Sequence, residues 1–388
     1  MAMTFNELIQ DKLWLHGLYV NRYAAKLAAL GTDRVLTTER EIRALITEYV
    51  LLLQGVRITS KKGQRLLKEF ERKIIELRRK AWVEATQEMD KEVKKFATID
   101  HAAQVKVFDD VLPLAIGMNV LDVATITAIA TVQPFEGNTF RQWMSLAQQK
   151  DINKVIRAVR IGMVNGETVE QMVARVIGSA KYQYKDGMSR KFKSDIEANV
   201  ITCINGVSNH IWAGVAAAND DIISFEVFQA TLDIRTTLQC AKNDNQRFKV
   251  GEGPVPPLHP RCRSRRIPVV TEAAFNRRGM DPTFEKELVQ EFARNNQLGQ
   301  VSKVGDLPYG YKTAYNKWMR NRRRELLGDV PADLRFEDWL RRRSNAFQDE
   351  YLGKRKAEMF RNNKLSLDKM VTRDGYELTI DQLEKLVS

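Results

Sequence analysis

The chain is poor in the residues from which active sites and disulfide scaffolds are built. Its 388 residues include three cysteines and four histidines. Cys203, Cys240 and Cys262 cannot all pair with one another, and three in this length is far from a disulfide framework, so folding under reducing conditions is expected. Four scattered histidines leave few ways to assemble a nucleophile–base pair. No G-x-x-x-x-G-K-[ST] phosphate loop, H-E-x-x-H or G-x-S-x-G is present. Gly251-Glu252-Gly253 lacks the third glycine and the strand-to-helix setting of a dinucleotide site, and reads as loop. A non-enzymatic role is the expectation.

Uninterrupted apolar runs are missing too. The first residues, MAMTFNELIQDKLWLHGLYV, place polar and charged side chains where a secretion signal needs an apolar stretch, so none is expected. Residues 111–132, VLPLAIGMNVLDVATITAIATV, are long enough to span a bilayer. Pro113, Asn119, Asp122 and three threonines interrupt them, and an unpaired Asp near the middle is costly in lipid. A buried helical hairpin or core helix is expected there, with no stable membrane span.

Positive charge is abundant. Lys and Arg number 62 against 49 Asp and Glu, a net charge of +13, and attraction to phosphates sums over such side chains. Nucleic acid is therefore the first partner class, against the alternative of solvated faces on charged helices. The charge is clustered: residues 61–95, then Arg261, Arg263, Arg265 and Arg266, then Arg320, Arg322, Arg323 and Arg324, then Arg341 to Arg343. An apolar fraction of 44% suits a folded chain, and the length suits two or three domains.

Hydrophobic spacing predicts a mainly α fold with a small β subdomain (α+β). Leu67, Phe70, Ile74, Leu77 and Ala81 recur every three or four residues, while Lys68, Arg72, Lys73, Arg78, Arg79 and Lys80 are expected on the other faces. Helices are predicted over 140–164 and 193–218, the latter carrying His210 and Trp212 as packing residues. Thr168 and Gln171 form a capping box ahead of Val169, Met172, Val173, Val176 and Ile177; Thr379 and Gln382 form another. Asp281-Pro282 starts a helix, and residues 336–351 form one run ending at Gly353. Between them, ISFEVFQA from Ile223 alternates as a strand with Ile223, Phe225 and Val227 on one face, and RRIPVV ends a second β segment at Val270. The expected division is a helical region 1–133, a helical/β core 134–271 with a β clip at about 222–270, and a basic helical region 272–388.

One segment inside the clip concentrates chemistry: VPPLHPRCRSRRIPV, residues 255–269. With Cys240 upstream it forms C-x18-H-x2-C, in which two thiolates and an imidazole, Cys240, Cys262 and His259, are suitable zinc ligands. Pro256, Pro257 and Pro260 stiffen the span. A structural zinc usually takes four protein ligands, and the fourth here would be Asp233, Asp244, water or nothing; the alternative is a packed, hydrogen-bonded cysteine–histidine cluster without metal. With strand alternation, Arg261, Arg263 and Arg265 would share a phosphate-facing edge, or the arginines would pair with local acids such as Asp233 or Glu226.

TLDIRTTLQC…PPLHPRCRSRRIPV, residues 231–269, resembles the signature of the Mu F-like phage head morphogenesis proteins, the minor head or minor capsid proteins. Asp233, Arg235, Thr236, Cys240, Leu258, His259, Pro260, Cys262, Arg263, Pro268 and Val269 match it, and Ser264 stands where the family's last cysteine is usual. Residues 135–178 and 336–383 are similar to further blocks of the family. The resemblance implies a virion protein made in the host cytoplasm and located inside the head at the portal vertex. Its implied partners are the portal protein, packaged double-stranded DNA, and capsid or scaffold protein, in head assembly, DNA packaging or ejection. The alternatives are a toxin-like or nuclease-like enzyme domain and a stand-alone zinc-dependent nucleic-acid-binding protein.

Overall fold

The computed structural model of the chain describes residues 3–184, 186–231, 237, 240, 243–328, 340–362, 365–370 and 378–387. The fold is mainly α with one small antiparallel sheet, the expected class. Two compact units share the chain: a helical unit of residues 18–100 and 123–208, and a sheet unit of residues 1–17, 101–122 and 209–388. The expected boundaries at 133/134 and 271/272 fall inside these units rather than between them. The cuts lie instead in α1 (Phe5–Leu36), α3 (Lys61–Val111), the coil after α3 and α7 (Lys193–Ala218). A 51-residue helix such as α3 is about 76 Å long, and its apolar stripe carries no mark of where one core ends and another begins.

In the helical unit, α2 (Glu39–Leu53), α3, α5 (Phe140–Val164) and α6 (Val169–Val176) bury a common core. Ile42, Ile46 and Tyr49 meet Phe70 and Ile74, together with Val155, Val159, Met172 and Val176. Tyr49 stacks on Phe70 with ring centroids 4.9 Å apart. Capping boxes start α5, from Thr139 and Gln142, and α6, from Thr168 and Gln171; only the second was expected.

Arg78 departs from the outer face assigned to it. Its side chain is fully buried, donating to Asp151 through Nε (2.9 Å) and Nη2 (3.3 Å), and to the Val35 carbonyl and Thr38 Oγ1 through Nη1 (3.0 and 2.8 Å). Trp82 Nε1 donates to the same carboxylate at 2.7 Å. Position 78 lies four residues after Ile74 and four before Trp82, on the core stripe rather than opposite it.

The buried helical hairpin or core helix expected over 111–132 is reduced to one short, mostly exposed helix. Pro113 follows the end of α3, residues 112–122 are largely irregular, and only Val123–Thr131 is helical (α4). Val120, Val123 and Val132 are exposed, and within α4 only Ile126 and Ala130 are buried. No helix among the described residues is long and apolar enough to cross a membrane.

In the sheet unit, β1 (Ile223–Gln229) lies between β2 (Arg247–Lys249) and β3 (Arg265–Val270), both antiparallel to it. A register shift between Ile223 and Phe225 ends the expected alternation, and from Glu226 onward every β1 residue is buried. Burial on both faces removes the polar-out pattern from β1, and β2, three residues long with Arg247 and Lys249 exposed, is too short and too charged to announce itself as a strand. Pro268 sits in edge strand β3, where a missing N–H is tolerated. That edge is closed at Val270, whose N–H and carbonyl are both bonded by the Asn6 side chain at 3.0 Å.

Helices α8 (Ala273–Arg278), α9 (Pro282–Asn295), α10 (Tyr309–Leu327), α11 (Asn345–Leu352), α12 (Lys354–Arg361) and α13 (Ile380–Val387) complete the unit. Asp281 caps α9 with Pro282 at its first position, and Thr379 with Gln382 opens α13, as expected. The single run over 336–351 is instead interrupted: residues 336–339 lie outside the described residues, Ser344 caps a new helix, and α12 begins directly after Gly353. Ser344 accepts from the Phe347 N–H, the bond by which serine favours a helix start over a helix interior.

Candidate metal centre

The last turn of the loop before β3 brings the cysteines and histidine together. His259 and Cys262 close a β-turn through Cys262 N–H to the His259 carbonyl (3.1 Å). Pro260, with φ fixed by its ring, takes the second place; Arg261 takes the third with φ 61°, a left-handed conformation that costs a non-glycine residue about 1–3 kcal/mol. The turn points Cys262 inward, where it packs with Cys240, Phe228 and Ala230. Pro256 and Pro257, joined by a cis bond, are buried.

All three cysteines are free thiols. Cys240 Sγ and Cys262 Sγ stand 3.7 Å apart, and one ligand atom from each of Cys240, His259 and Cys262 lies within 4.8 Å of the others. Two thiolates at the usual zinc–sulfur length of about 2.3 Å in a tetrahedron are about 3.8 Å apart, so the sulfur pair has the spacing of one tetrahedral edge. The hydrogen bond from the Cys240 thiol, aided by His259, pulls Cys262 well below the ordinary thiol range and pushes Cys240 up. His259 Nδ1 lies 2.9 Å from the Pro260 carbonyl, a bond that, with Nδ1 protonated, leaves Nε2 as the ligating atom.

A fourth protein ligand is not among the described residues of the cluster. Asp244 Oδ1 accepts from Ala230 N–H at 2.8 Å and stands outside the cluster; Asp233 lies outside the described residues, as do Arg235 and Thr236. Ser264 is buried with its hydroxyl hydrogen-bonded to the Cys240 sulfur. The donor set fits a zinc ion held by three protein ligands, with the fourth place available to water or Ser264.

The arginines separate into two kinds. The expected shared edge of Arg261, Arg263 and Arg265 does not form, because β3 begins only at Arg265 and Arg261 occupies the turn. Arg265 and Arg266 are buried and cannot meet a polyanion. Arg266 reaches Glu226 at 2.9 Å and donates to the Glu252 carbonyl at 2.6 Å, and its guanidinium lies 5.1 Å from the Phe248 ring. Trp212 Nε1 donates to the same Glu226 at 2.7 Å, and the Trp212 ring stacks on Phe108. Burial pushes Glu226 up against the opposing pull of Arg266 and Trp212. Trp212 is thus a packing residue, as expected, and also a donor; an acid in an apolar strand was the signal for this network.

In α10, Arg322 is engaged by Glu291 and Glu325, Arg323 by Asn276 and the Phe275 ring, and Arg324 by Glu272. Arg320 is exposed, while Arg261 and Arg263 are half-buried. The cluster that looked most cationic in sequence is mostly spent on local partners.

A surface groove in the helical unit, lined by Trp82, Asp90, Lys94, Arg141 and Gln148 among others, offers no obvious acid–base pair. Asp90 is bidentate with Arg141 (3.1 and 2.7 Å) and 3.1 Å from Lys94; burial raises its pKa, but these cations outweigh it and hold it low. A carboxylate so held does not act as a general acid. No family model, no curated protein and no solved structure matches the chain.

Proposed function

We propose that the chain is a phage minor head protein: a structural component carried inside the head at the portal vertex, aiding head assembly or DNA packaging and ejection, and touching packaged double-stranded DNA without sequence preference. The observation that carries this is the convergence of Cys240, Leu258, His259, Pro260, Cys262 and Pro268 in one small sheet and its loop. These are residues that carry the resemblance, and the fold gathers them into one loop and the strand that follows it. In this reading the knot is a clip, with zinc held by Cys240, His259 and Cys262, which gives a loop-rich segment a folding energy its few apolar side chains do not supply. The surplus of cations suits a site beside packed DNA.

The deciding experiment is mass spectrometry of purified heads, with and without the gene, together with electron microscopy of the portal vertex. A few copies per head are expected, and absence from particles that package normally overturns the proposal. A second reading, a zinc-dependent nucleic-acid-binding protein acting outside any virion, is favoured by the same ligand triad. It predicts DNA binding abolished by chelator, whereas a clip remote from DNA predicts binding that survives while the protein remains folded.

A further inference from the structure

We propose that the exposed face of α3 in the helical unit, carrying Lys61, Arg65, Lys68, Arg72 and Arg79, is the surface that lies along duplex DNA, in place of the arginine clusters at 261–266 and 320–324. The inference rests on the DNA-proximal reading above and says where in the chain the contact is made.

Ion-pair bookkeeping selects this face. Of nine cations between residues 61 and 80, Arg78 is buried on Asp151, Lys73 lies 3.4 Å from Glu48, and Arg72 lies 3.5 Å from Glu76. Glu71 is taken by Arg160 at 2.6 Å. What remains is Lys61, Lys62, Arg65, Lys68, Arg79 and Lys80, all exposed, against the half-exposed Glu69. The Arg72–Glu76 pair is exposed on both sides, at 67% and 74%, so Arg72 exchanges its partner at little cost.

Their spacing makes a line. Positions 61, 65, 68, 72 and 79 recur at four, three, four and seven residues, returning to one side of a 3.6-residue helix each time. From Lys61 to Arg79 the line runs about 27 Å at 1.5 Å per residue. A rigid rod with four charges about 5–6 Å apart and a fifth about 10 Å further on can follow a phosphate backbone, whose charges are fixed and closely spaced, and reads no bases. The sequence-independent contact expected of a protein beside packed DNA needs nothing more. In the arginine clusters, by contrast, Arg265 and Arg266 are buried, Arg322 and Arg324 pair with acids and Arg323 meets Asn276 and the Phe275 ring, which leaves Arg320 as the exposed member of its cluster.

The test uses the full-length protein and a random-sequence duplex of about 20 base pairs, with affinity measured between roughly 50 and 200 mM salt. One variant is Lys61→Gln/Arg65→Gln/Lys68→Gln/Arg79→Gln. A charge-matched control in the sheet unit is Arg277→Gln/Lys312→Gln/Lys317→Gln/Arg320→Gln, all exposed positions. Glutamine keeps the helix propensity, and circular dichroism checks the fold. In the first variant the slope of log K against log salt should fall by about 0.9 per contact, about 3.6 for four, while the control changes it by less than one. An unchanged slope in the first variant, or an equal drop in the control, overturns the proposal. So does face-dependent binding to phosphatidylserine vesicles without DNA binding. The head proposal fails separately: absence from purified heads with face-dependent DNA binding overturns that proposal alone, and presence in heads with a face variant that binds DNA like the wild type overturns only this one.

Discussion

Asp151→Ala is expected to be among the most damaging single changes in the helical unit. Asp151 and Arg78 both have zero side-chain exposure, and the carboxylate accepts three hydrogen bonds, two from Arg78 and one from Trp82. Removing it leaves a guanidinium buried without its carboxylate, beside the Val35 carbonyl and the Thr38 hydroxyl. An uncompensated buried charge of this kind costs about 3–5 kcal/mol, against a total stability of about 5–15 kcal/mol for a typical domain. The double variant Arg78→Met/Asp151→Leu removes both charges and should recover most of that loss. It remains below wild type by the price of an unpaired Trp82 N–H, about 1–3 kcal/mol. Urea unfolding followed by far-ultraviolet circular dichroism measures all three proteins. A loss below about 1 kcal/mol in Asp151→Ala, or a double variant worse than the single, would show that Arg78 is not held as an ion in the core.

Asp221 is held below the usual carboxylate range chiefly by Arg278, which bonds both of its oxygens at 2.7 and 2.6 Å. A depressed folded pKa gives stability that is present above the unfolded value and lost as pH falls through the folded one. Asp221→Asn should therefore cost about 1–3 kcal/mol at pH 7, with the gap narrowing as pH falls below about 4 in melts across pH; a gap of the same size at pH 7 and pH 2 refutes the pairing. Gly206→Ala places a methyl 2.2 Å from the buried Phe135 ring and should cost about 1–3 kcal/mol in urea unfolding, relieved by adding Phe135→Leu; no loss means the ring is not seated there. Elemental analysis should find one zinc per chain in the wild type and none in Cys262→Ser, with release as pH falls and the ligands protonate; wild type purified without zinc, and unable to take it up, ends the metal reading.

Local signals were the legible part of the fold. Thr168 with Gln171, Thr379 with Gln382 and Asp281-Pro282 each satisfy backbone donors within a few residues, so their chemistry is complete in the sequence and the structure has them. The helices over 140–164 and 193–218 were equally plain from period. What failed needed partners from elsewhere. Arg78 was placed by its charge rather than its phase, because nothing near it in sequence announces Asp151, 73 residues on. The segment 111–132 looked like core by composition, yet Asn119 anchors it as irregular chain through its N–H to Asn219 Oδ1 and its side chain to the Ala218 carbonyl, contacts about 100 residues away.

The two halves of the candidate site divide on the same line, and the division explains why the fold brings the triad together and disperses the arginines. A metal triad needs particular atoms, and Cys, His and the prolines that stiffen their loop are rare enough for spacing alone to single them out; the fold brings the two sulfurs, 22 residues apart, to 3.7 Å. A polyanion needs only uncompensated charge, and arginine density measures the sum before pairing. Arg266 beside Glu226, and Arg322 and Arg324 beside Glu291 and Glu272, are as basic in sequence as Lys61, Arg65 and Lys68. Only folding decides which cations meet acids, so the free charge comes to lie on the long helix whose same-face repeat keeps its cations apart from one another and largely clear of carboxylates.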